Sequence, residues 1–387
     1  MSEDFDFSGF VQEDTESSPV RTITDNFAAD PAFKLGIIGV GQCGNNIAQA
    51  FHRLGYRRVL LVNTAQTDLD AIADQIAKLP IDKQGAGKDP ALGKAKVEAK
   101  STQIRNGMLR EFGEDFEKIV VCIGLGGGTG SGGGPEVIKL AKGIITDRGG
   151  DPTTDVLVIV TLPNPNLDGP RQCFNALVSY GQMSHMGVPM VIIDNTQVSK
   201  LRKSKLADSW SKVNDWIARA VHAFNAYANR PSDLGAFDGN DLNDILRRGH
   251  LLFSAFHIEG FKDKYAASDV LASHLANNLF AKCNISTAVA AGCLLIVNPK
   301  LGQEINMEDI EPALQELNKI MKPNSTLHRG IYIPNWSQAD QAKHPDLFCY
   351  VILSGMEHPT ATLKDLFEKA RNYNQSYGSL GAFLANE

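Results

Sequence analysis

Residues 124 to 134 read Gly124-Leu125-Gly126-Gly127-Gly128-Thr129-Gly130-Ser131-Gly132-Gly133-Gly134, eight glycines in eleven positions. Glycine loses more backbone entropy on folding than any other residue, so such a run constrains the fold strongly. A short apolar strand pattern at 119–123 precedes it, and a helical pattern at 135–142 follows. Strand, glycine loop and helix start together make the geometry in which backbone N–H groups and a helix N-terminus hold a phosphate. A flexible linker is the competing reading. Two apolar flanks, with Thr129 and Ser131 as the only hydroxyls, argue against it.

The surrounding pattern supplies a sheet for that loop. Strand patterns at 34–39, 58–63, 118–123, 156–162 and 189–194 alternate with helical patterns at 45–54, 67–79, 92–112, 135–147 and 171–186. This order predicts an α/β fold, a doubly wound Rossmann-like domain with ligand loops at the carboxyl ends of its strands. A long central helix is expected over 206–228, where Val213, Ile217, Ala220, Val221, Phe224 and Tyr227 recur at helical spacing. After Gly249, strand patterns at 251–258, 289–298, 330–334 and 347–355 surround helical patterns at 267–282 and 307–321. That mixture predicts a smaller α+β domain with a mixed sheet. The expected divisions are an acidic arm at 1–32, a ligand-binding domain at 33–205, the central helix at 206–230, and a loop with its following helix at 231–248. The α+β domain follows at 249–356, and a helix with a polar tail at 357–387.

Composition narrows the function classes. The chain has 387 residues, 43% of them hydrophobic, and a formal net charge of −6, which gives no reason to expect direct nucleic-acid binding. No apolar run reaches the ~18 residues of a membrane span. The first residues have neither a basic stretch nor an apolar core of a secretory signal. Six cysteines are scattered without CxxC spacing, which suits a reducing, cytoplasmic setting without disulfides or a zinc site. The arm carries Glu3, Asp4, Asp6, Glu13, Asp14, Glu16, Asp25 and Asp30 against Arg21 alone, so it reads as disordered. Phe5, Phe7, Phe10 and Val11 interrupt its acids, which leaves open a docking peptide for an adaptor protein.

Several loops have the chemistry of a phosphate site. Gly39-Val40-Gly41-Gln42-Cys43-Gly44 satisfies GxGxxG between a strand and a helix. The dinucleotide reading of that motif requires an acid at the end of the second strand, where Asn63 stands, and leaves the second glycine run without a role. No Walker A loop is present, because Gly85-Ala86-Gly87-Lys88 lacks the upstream glycine and the following hydroxyl. Asn63-Thr64-Ala65-Gln66-Thr67-Asp68, Gly85-Ala86-Gly87-Lys88-Asp89-Pro90 and the 162–171 loop add further contacts at strand ends. This set implies a mononucleotide di- or triphosphate held largely by backbone amides.

With these motifs together, the chain resembles the tubulin/FtsZ superfamily. Gly126-Gly127-Gly128-Thr129-Gly130-Ser131-Gly132 is similar to the signature loop as tubulins write it, and Gly41-Gln42-Cys43-Gly44-Asn45 to the tubulin first loop. Gly85-Ala86-Gly87-Lys88-Asp89-Pro90 looks like the FtsZ third loop. The resemblance covers about 34 to 355. It implies a GTP/GDP-binding GTPase domain with Mg²⁺ on the phosphates and no dedicated protein metal ligands. Gly41, Gln42, Cys43, Asn63, Thr64, Gly85, Ala86, Gly87 and the loop from Gly126, Gly127, Gly128, Thr129, Gly130 and Ser131 would surround the phosphates. Asn46 would lie under the base, Asp168 and Arg171 near the ribose, and Asn195 near the nucleotide. Trp210 would stack on guanine, and Asn214 or Asp215 would accept from its N1 and N2 donors; plain core packing is the alternative for Trp210.

In the family, an acid-rich loop enters the nucleotide site of the next subunit and polarises the attacking water. Asp241 and Asp244 of Asn240-Asp241-Leu242-Asn243-Asp244-Ile245 match its two acids. Gly239 stands where an asparagine is expected, with Asn240 one residue later. Read without the resemblance, these acids are helix caps. The resemblance further implies head-to-tail homopolymers, because a heterologous contact that does not close gives filaments. Bacterial division, DNA or phage positioning and cell shape remain open as roles. A non-polymerising nucleotide-binding scaffold of the same fold is the alternative, and a Rossmann dehydrogenase is disfavoured by Asn63.

Overall fold

The structure, a computed structural model, describes residues 31–72, 75–201, 209–276, 278–371 and 373. The expected arm up to residue 30, the first residues expected of the central helix and the tail from 374 lie outside them. The chain divides into two compact units.

The larger unit comprises the described residues of Lys34–Asp215, Leu279–Cys283 and His358–Glu387. Its strands are β1 (Leu35–Val40), β2 (Val59–Asn63), β3 (Ala77–Pro80), β4 (Lys118–Gly124), β5 (Val156–Leu162) and β6 (Met190–Asp194). They lie in the order β3-β2-β1-β4-β5-β6, and all of these pairings are parallel. Apart from the rim strand β3, their residues are almost continuously apolar and buried, as parallel strands covered on both faces must be. The covering helices include α1 (Gly41–Arg53), α2 (Pro90–Ala99), α3 (Ser101–Phe112), α4 (Gly134–Asp147) and α5 (Pro170–Ser184). The chain leaves β1 for β2 on one side, yet β4 pairs on the other side of β1. That reversal opens a crevice at the carboxyl ends of β1 and β4, where α/β sheets bind ligands.

Two helical expectations are corrected here. The pattern at 67–79 yields only a five-residue helix, Gln66–Asp70, and then β3, which pairs with β2 through Leu60–Asn63. An exposed edge of β2 would leave unpaired N–H and C=O groups, so pairing outweighs a weak helical preference. The pattern at 92–112 is two helices, parted at Lys100 with φ −114° and ψ 12°. The last helix, Thr360–Ala370, belongs to this unit. The Tyr180 hydroxyl and His358 Nδ1 lie 2.6 Å apart, and Thr362 donates to buried Asp194 at 3.0 Å.

The smaller unit comprises the described residues of Met1–Phe33, Trp216–Asn278 and Asn284–Glu357. Its strands are β7 (His250–Ile258), β8 (Ala290–Val297), β9 (Thr326–Tyr332) and β10 (Leu347–Met356). The order is β7-β10-β8-β9, with β10 antiparallel to both neighbours and β9 parallel to β8, a mixed sheet. The helix α6 (Ser209–Tyr227) leads into this unit, which also holds α7 (Gly239–Leu246), α8 (Ala266–Ala276) and α9 (Met307–Ile320). Strand β9 starts four residues before the pattern at 330–334, and this brings His328 into the strand.

Candidate functional site

A pocket of about 500 Å³ sits at the carboxyl ends of the parallel strands. Each loop around it is placed by a strand. Gly41, Gln42 and Cys43 follow β1, Asn63 and Thr64 end β2, the glycine run follows β4, and Thr161 and Pro163 mark the end of β5. Asn195 follows β6, and Gly85, Ala86, Gly87 and Lys88 complete the wall.

The glycine run has two physical causes. Close packing is one. A Cβ on Gly130 would stand 2.0 Å from the Gly124 carbonyl oxygen, and one on Gly132 would stand 1.9 Å from that of Pro90. Either is far inside van der Waals contact. The other cause is open space. Gly127 lines the pocket, and a Cβ there would meet no protein atom within 4 Å. A side chain at Gly127 would therefore occupy the pocket and nothing else.

Immediately after Gly128 the backbone winds as a π-helical turn, Thr129–Gly133, that runs into α4. Such turns are uncommon and recur at functional sites. The first N–H groups of a helix have no intrahelical partner, and together with the helix dipole they favour an anion at this end.

Hydrogen bonds fix the loops to one another. Thr64 and Thr129 hydroxyls lie 2.6 Å apart, while Asn63 donates to Asp68 at 2.9 Å. The Ser131 hydroxyl accepts from Gly126 N at 2.8 Å, so it braces the glycine loop from inside. Asn175 on α5 donates to the carbonyls of both Gly126 and Lys88, at 3.1 and 3.0 Å. Asp89 caps α2 by accepting from Ala91 N and Leu92 N, and Lys96 donates to Gly85 O at 2.6 Å. Cys43 Sγ is 3.3 Å from Thr161 Oγ1. Enclosure pushes its thiol pKa up against that hydrogen bond, so Cys43 presents a neutral thiol. Asp168 accepts from Asn164 N at 2.9 Å and so closes its own loop.

Of the expected nucleotide residues, Gly41, Gln42, Cys43, Asn63, Thr64, Gly85, Ala86, Gly87, Gly126 to Gly130, Asp168 and Asn195 line this pocket. Ser131, Asn46, Arg171, Trp210, Asn214 and Asp215 are not among its lining residues. Asn46 is on α1, one turn into the helix, and Trp210 on α6 is 43% exposed rather than packed in the core. Asp215 forms an ion pair with Arg53 of α1 at 2.6 Å, so in this conformation a guanidinium holds its carboxylate. The wall also includes Asp68, Lys88, Thr161 and Gln172. Gln172 stands one residue beyond Arg171, at the start of α5, and no sequence signal separated the two.

Asp241 and Asp244 belong to the smaller unit. Both lie on α7, whose N-cap Asp238 accepts from Asn240 N and Asp241 N while Asp241 accepts from Asp238 N. The capping reading of Asp241 is thus borne out. Its other carboxylate oxygen is 2.7 Å from His328 Nδ1, and Asp244 is 3.1 Å from His328 Nε2 and 2.8 Å from Arg248. Partial burial alone would raise the Asp244 pKa, but the His328 and Arg248 hydrogen bonds and charges outweigh it and hold the carboxyl below its usual value.

Residues 34–203 match the model of the Tubulin/FtsZ family, GTPase domain. This stretch is a tubulin/FtsZ-family GTPase domain. The Tubulin-like protein CetZ of Thermococcus kodakarensis is 24% identical over 365 residues, covering 88% of this chain and 87% of its own. Among solved structures, CetZ2 from Haloferax volcanii in a GTPγS-bound protofilament superposes with a TM-score of 0.70 at 22% identity, covering 87% and 97% of the two chains. A GTPγS-form protofilament of TubZ from Bacillus thuringiensis serovar israelensis gives a TM-score of 0.72 at 18% identity, covering 95% and 98%. The tubulin/FtsZ fold thus extends through both units. No helix among the described residues is long and apolar enough to cross a membrane.

Proposed function

We propose that this chain binds and hydrolyses GTP and assembles head-to-tail into cytoskeletal filaments. Gly127, open to the pocket within a braced glycine loop, is the observation that carries the nucleotide reading. Gly126 has a φ of +102°, and a Cβ on Gly128 would stand 2.7 Å from Ala86 Cβ, so Gly127 alone of that triplet has both an ordinary backbone and open space. A phosphate chain fits such a cradle because amides, not side chains, would hold it. Thr64 and Thr129 add hydroxyls at the same wall, and Lys88 adds a positive charge. Mg²⁺, when bound, supplies charge neutralisation on the phosphates and keeps most of its water. Asp68 and the threonine hydroxyls are oxygen donors of the kind its water shell takes.

Hydrolysis needs a positioned water, and phosphoryl transfer asks little covalent chemistry of the protein. Asp241 and Asp244 are the acids we assign to that water, acting on the nucleotide of the next subunit in the filament. The protofilament relatives support this reading by analogy of fold.

Native mass spectrometry of the purified full-length protein tests the ligand. Retained GDP or GTP is expected, and a nicotinamide or adenine nucleotide would contradict the reading. Asp244→Asn should lower GTP turnover by about 10²-fold or more, as loss of a proton-handling group does. Unchanged turnover would remove Asp244 from the mechanism.

A further inference from the structure

The helix α7 carries the two acids, and a set of hydrogen bonds ties it and the loop before it to β9. Ile331 N donates to Gly235 O at 2.9 Å, so the loop before α7 lies along the edge of β9. Ser232 Oγ donates to Ile331 O on the same edge. The Tyr332 hydroxyl accepts from Phe237 N at 3.0 Å and donates to Tyr227 O at 3.1 Å, joining the end of α6 to the start of α7. Gly330 leaves room for this arrangement: a Cβ there would stand 2.5 Å from the Tyr332 ring and 2.9 Å from Phe237 Cβ. On the sheet side, Gly292 of β8 admits Ile245 of α7, since a Cβ there would lie 2.8 Å from Ile245 Cδ1.

His328 is the third tie and the only one that reaches the carboxylates from β9. It shares a strand face with Gly330 and Tyr332, because alternate residues of a strand point the same way. Its two ring nitrogens meet one acid each, Asp241 at 2.7 Å and Asp244 at 3.1 Å. A neutral imidazole has one donor and one acceptor, so the ring donates to both carboxylates only as imidazolium. The ring thus bridges two carboxylates placed three residues apart on one helical turn. The remaining contacts of the pair, Asp238 N on Asp241 and Arg248 on Asp244, each serve a single acid.

We propose that His328 is the positioning residue of the hydrolytic acids: it clamps Asp241 and Asp244 into one fixed pair before a neighbouring nucleotide arrives. The inference rests on the proposed role of those acids. It adds a residue that lies more than 80 positions away in sequence, at separations of 84 for Asp244 and 87 for Asp241. His328 does not touch the reacting water in this account. Its effect is geometric, and misplacing a catalytic group by about 1 Å can reduce a rate roughly 10²-fold.

The test uses the full chain and reads GTP turnover per assembled subunit beside sedimentation with GTPγS. His328→Ala should lower turnover by about ten- to a hundredfold while the amount sedimented with GTPγS stays within about twofold. His328→Gln, whose amide carries two N–H donors, should recover most of the loss, whereas His328→Leu should not. A merely structural histidine would move sedimentation together with turnover and would show no such ordering. If His328→Ala disrupts the fold, the difference between the glutamine and leucine variants decides the matter. Wild-type turnover in both the alanine and leucine variants, with Asp244→Asn inactive, overturns the clamp and leaves the role of the acids standing. Wild-type turnover in Asp244→Asn as well overturns the proposed role of the acids, and the clamp with it.

Discussion

Gly127 and Gly130 are three residues apart in the same loop, yet the structure gives them opposite sensitivities. A methyl at Gly130 would meet the Gly124 carbonyl oxygen at 2.0 Å, which backbone cannot yield cheaply. Gly130→Ala should therefore destabilise the larger unit by about 1–3 kcal/mol or more, as overpacking does, and chemical denaturation would measure it. Gly127→Ala meets no protein atom, so stability should change by less than about 0.5 kcal/mol while guanine nucleotide affinity falls. Equal losses of stability in the two variants would contradict this division. The glycine run was legible as a tight strand-to-helix connection from its flanks alone. Which glycine serves packing and which serves the ligand was not, because that depends on Gly124 and Pro90 returning to the loop in space. The pairing of Asp215 with Arg53, 162 residues apart, was hidden for the same reason.

Elements were legible wherever a segment's own pattern decided its conformation. Strands β1, β2 and β5 are buried throughout and β4 up to its last residue, and their apolar runs marked them within a residue or two. Segments decided by a neighbour were not. Residues 77–80 became β3 because β2 had an edge to fill, and β9 begins early because its residues pair with β8 from Ala290↔Thr326 onward. The shift matters for the site, since it places His328 in the strand. Local capping can be tested directly. Asp89 holds the N-terminus of α2 beside the third loop, so Asp89→Ala should lower stability by about 1 kcal/mol in thermal or urea unfolding.

The helix α8 gives the smaller unit a pH dependence. Burial depresses the His274 pKa from 6.5 to about 4, with the charge of His257 adding to the effect. Between those values the unfolded chain binds a proton that the folded chain refuses. Stability from this group is thus complete above about pH 6.5 and is lost as pH falls towards 4. His274→Phe should flatten that limb of a stability–pH profile, and an unaltered limb would assign it to another group.

For the whole molecule, the proposed reaction is divided between two places on the chain. The larger unit supplies the pocket, its glycine loop and the hydroxyls around it; the smaller unit supplies Asp241 and Asp244, clamped by His328. The glycine motifs and the acids at 241 and 244 stand out in the sequence. It could not reveal the scaffold behind the acids, because β9 contributes through single residues at strand spacing rather than through a recognisable run. Since the acids are assigned to the nucleotide of the next subunit, hydrolysis should depend on assembly. The most direct measurement is GTP turnover per molecule across a wide dilution series of the full-length protein, with filament formation followed in parallel. Turnover per molecule is expected to collapse below the concentration at which filaments disappear. Constant turnover per molecule throughout the series would contradict it.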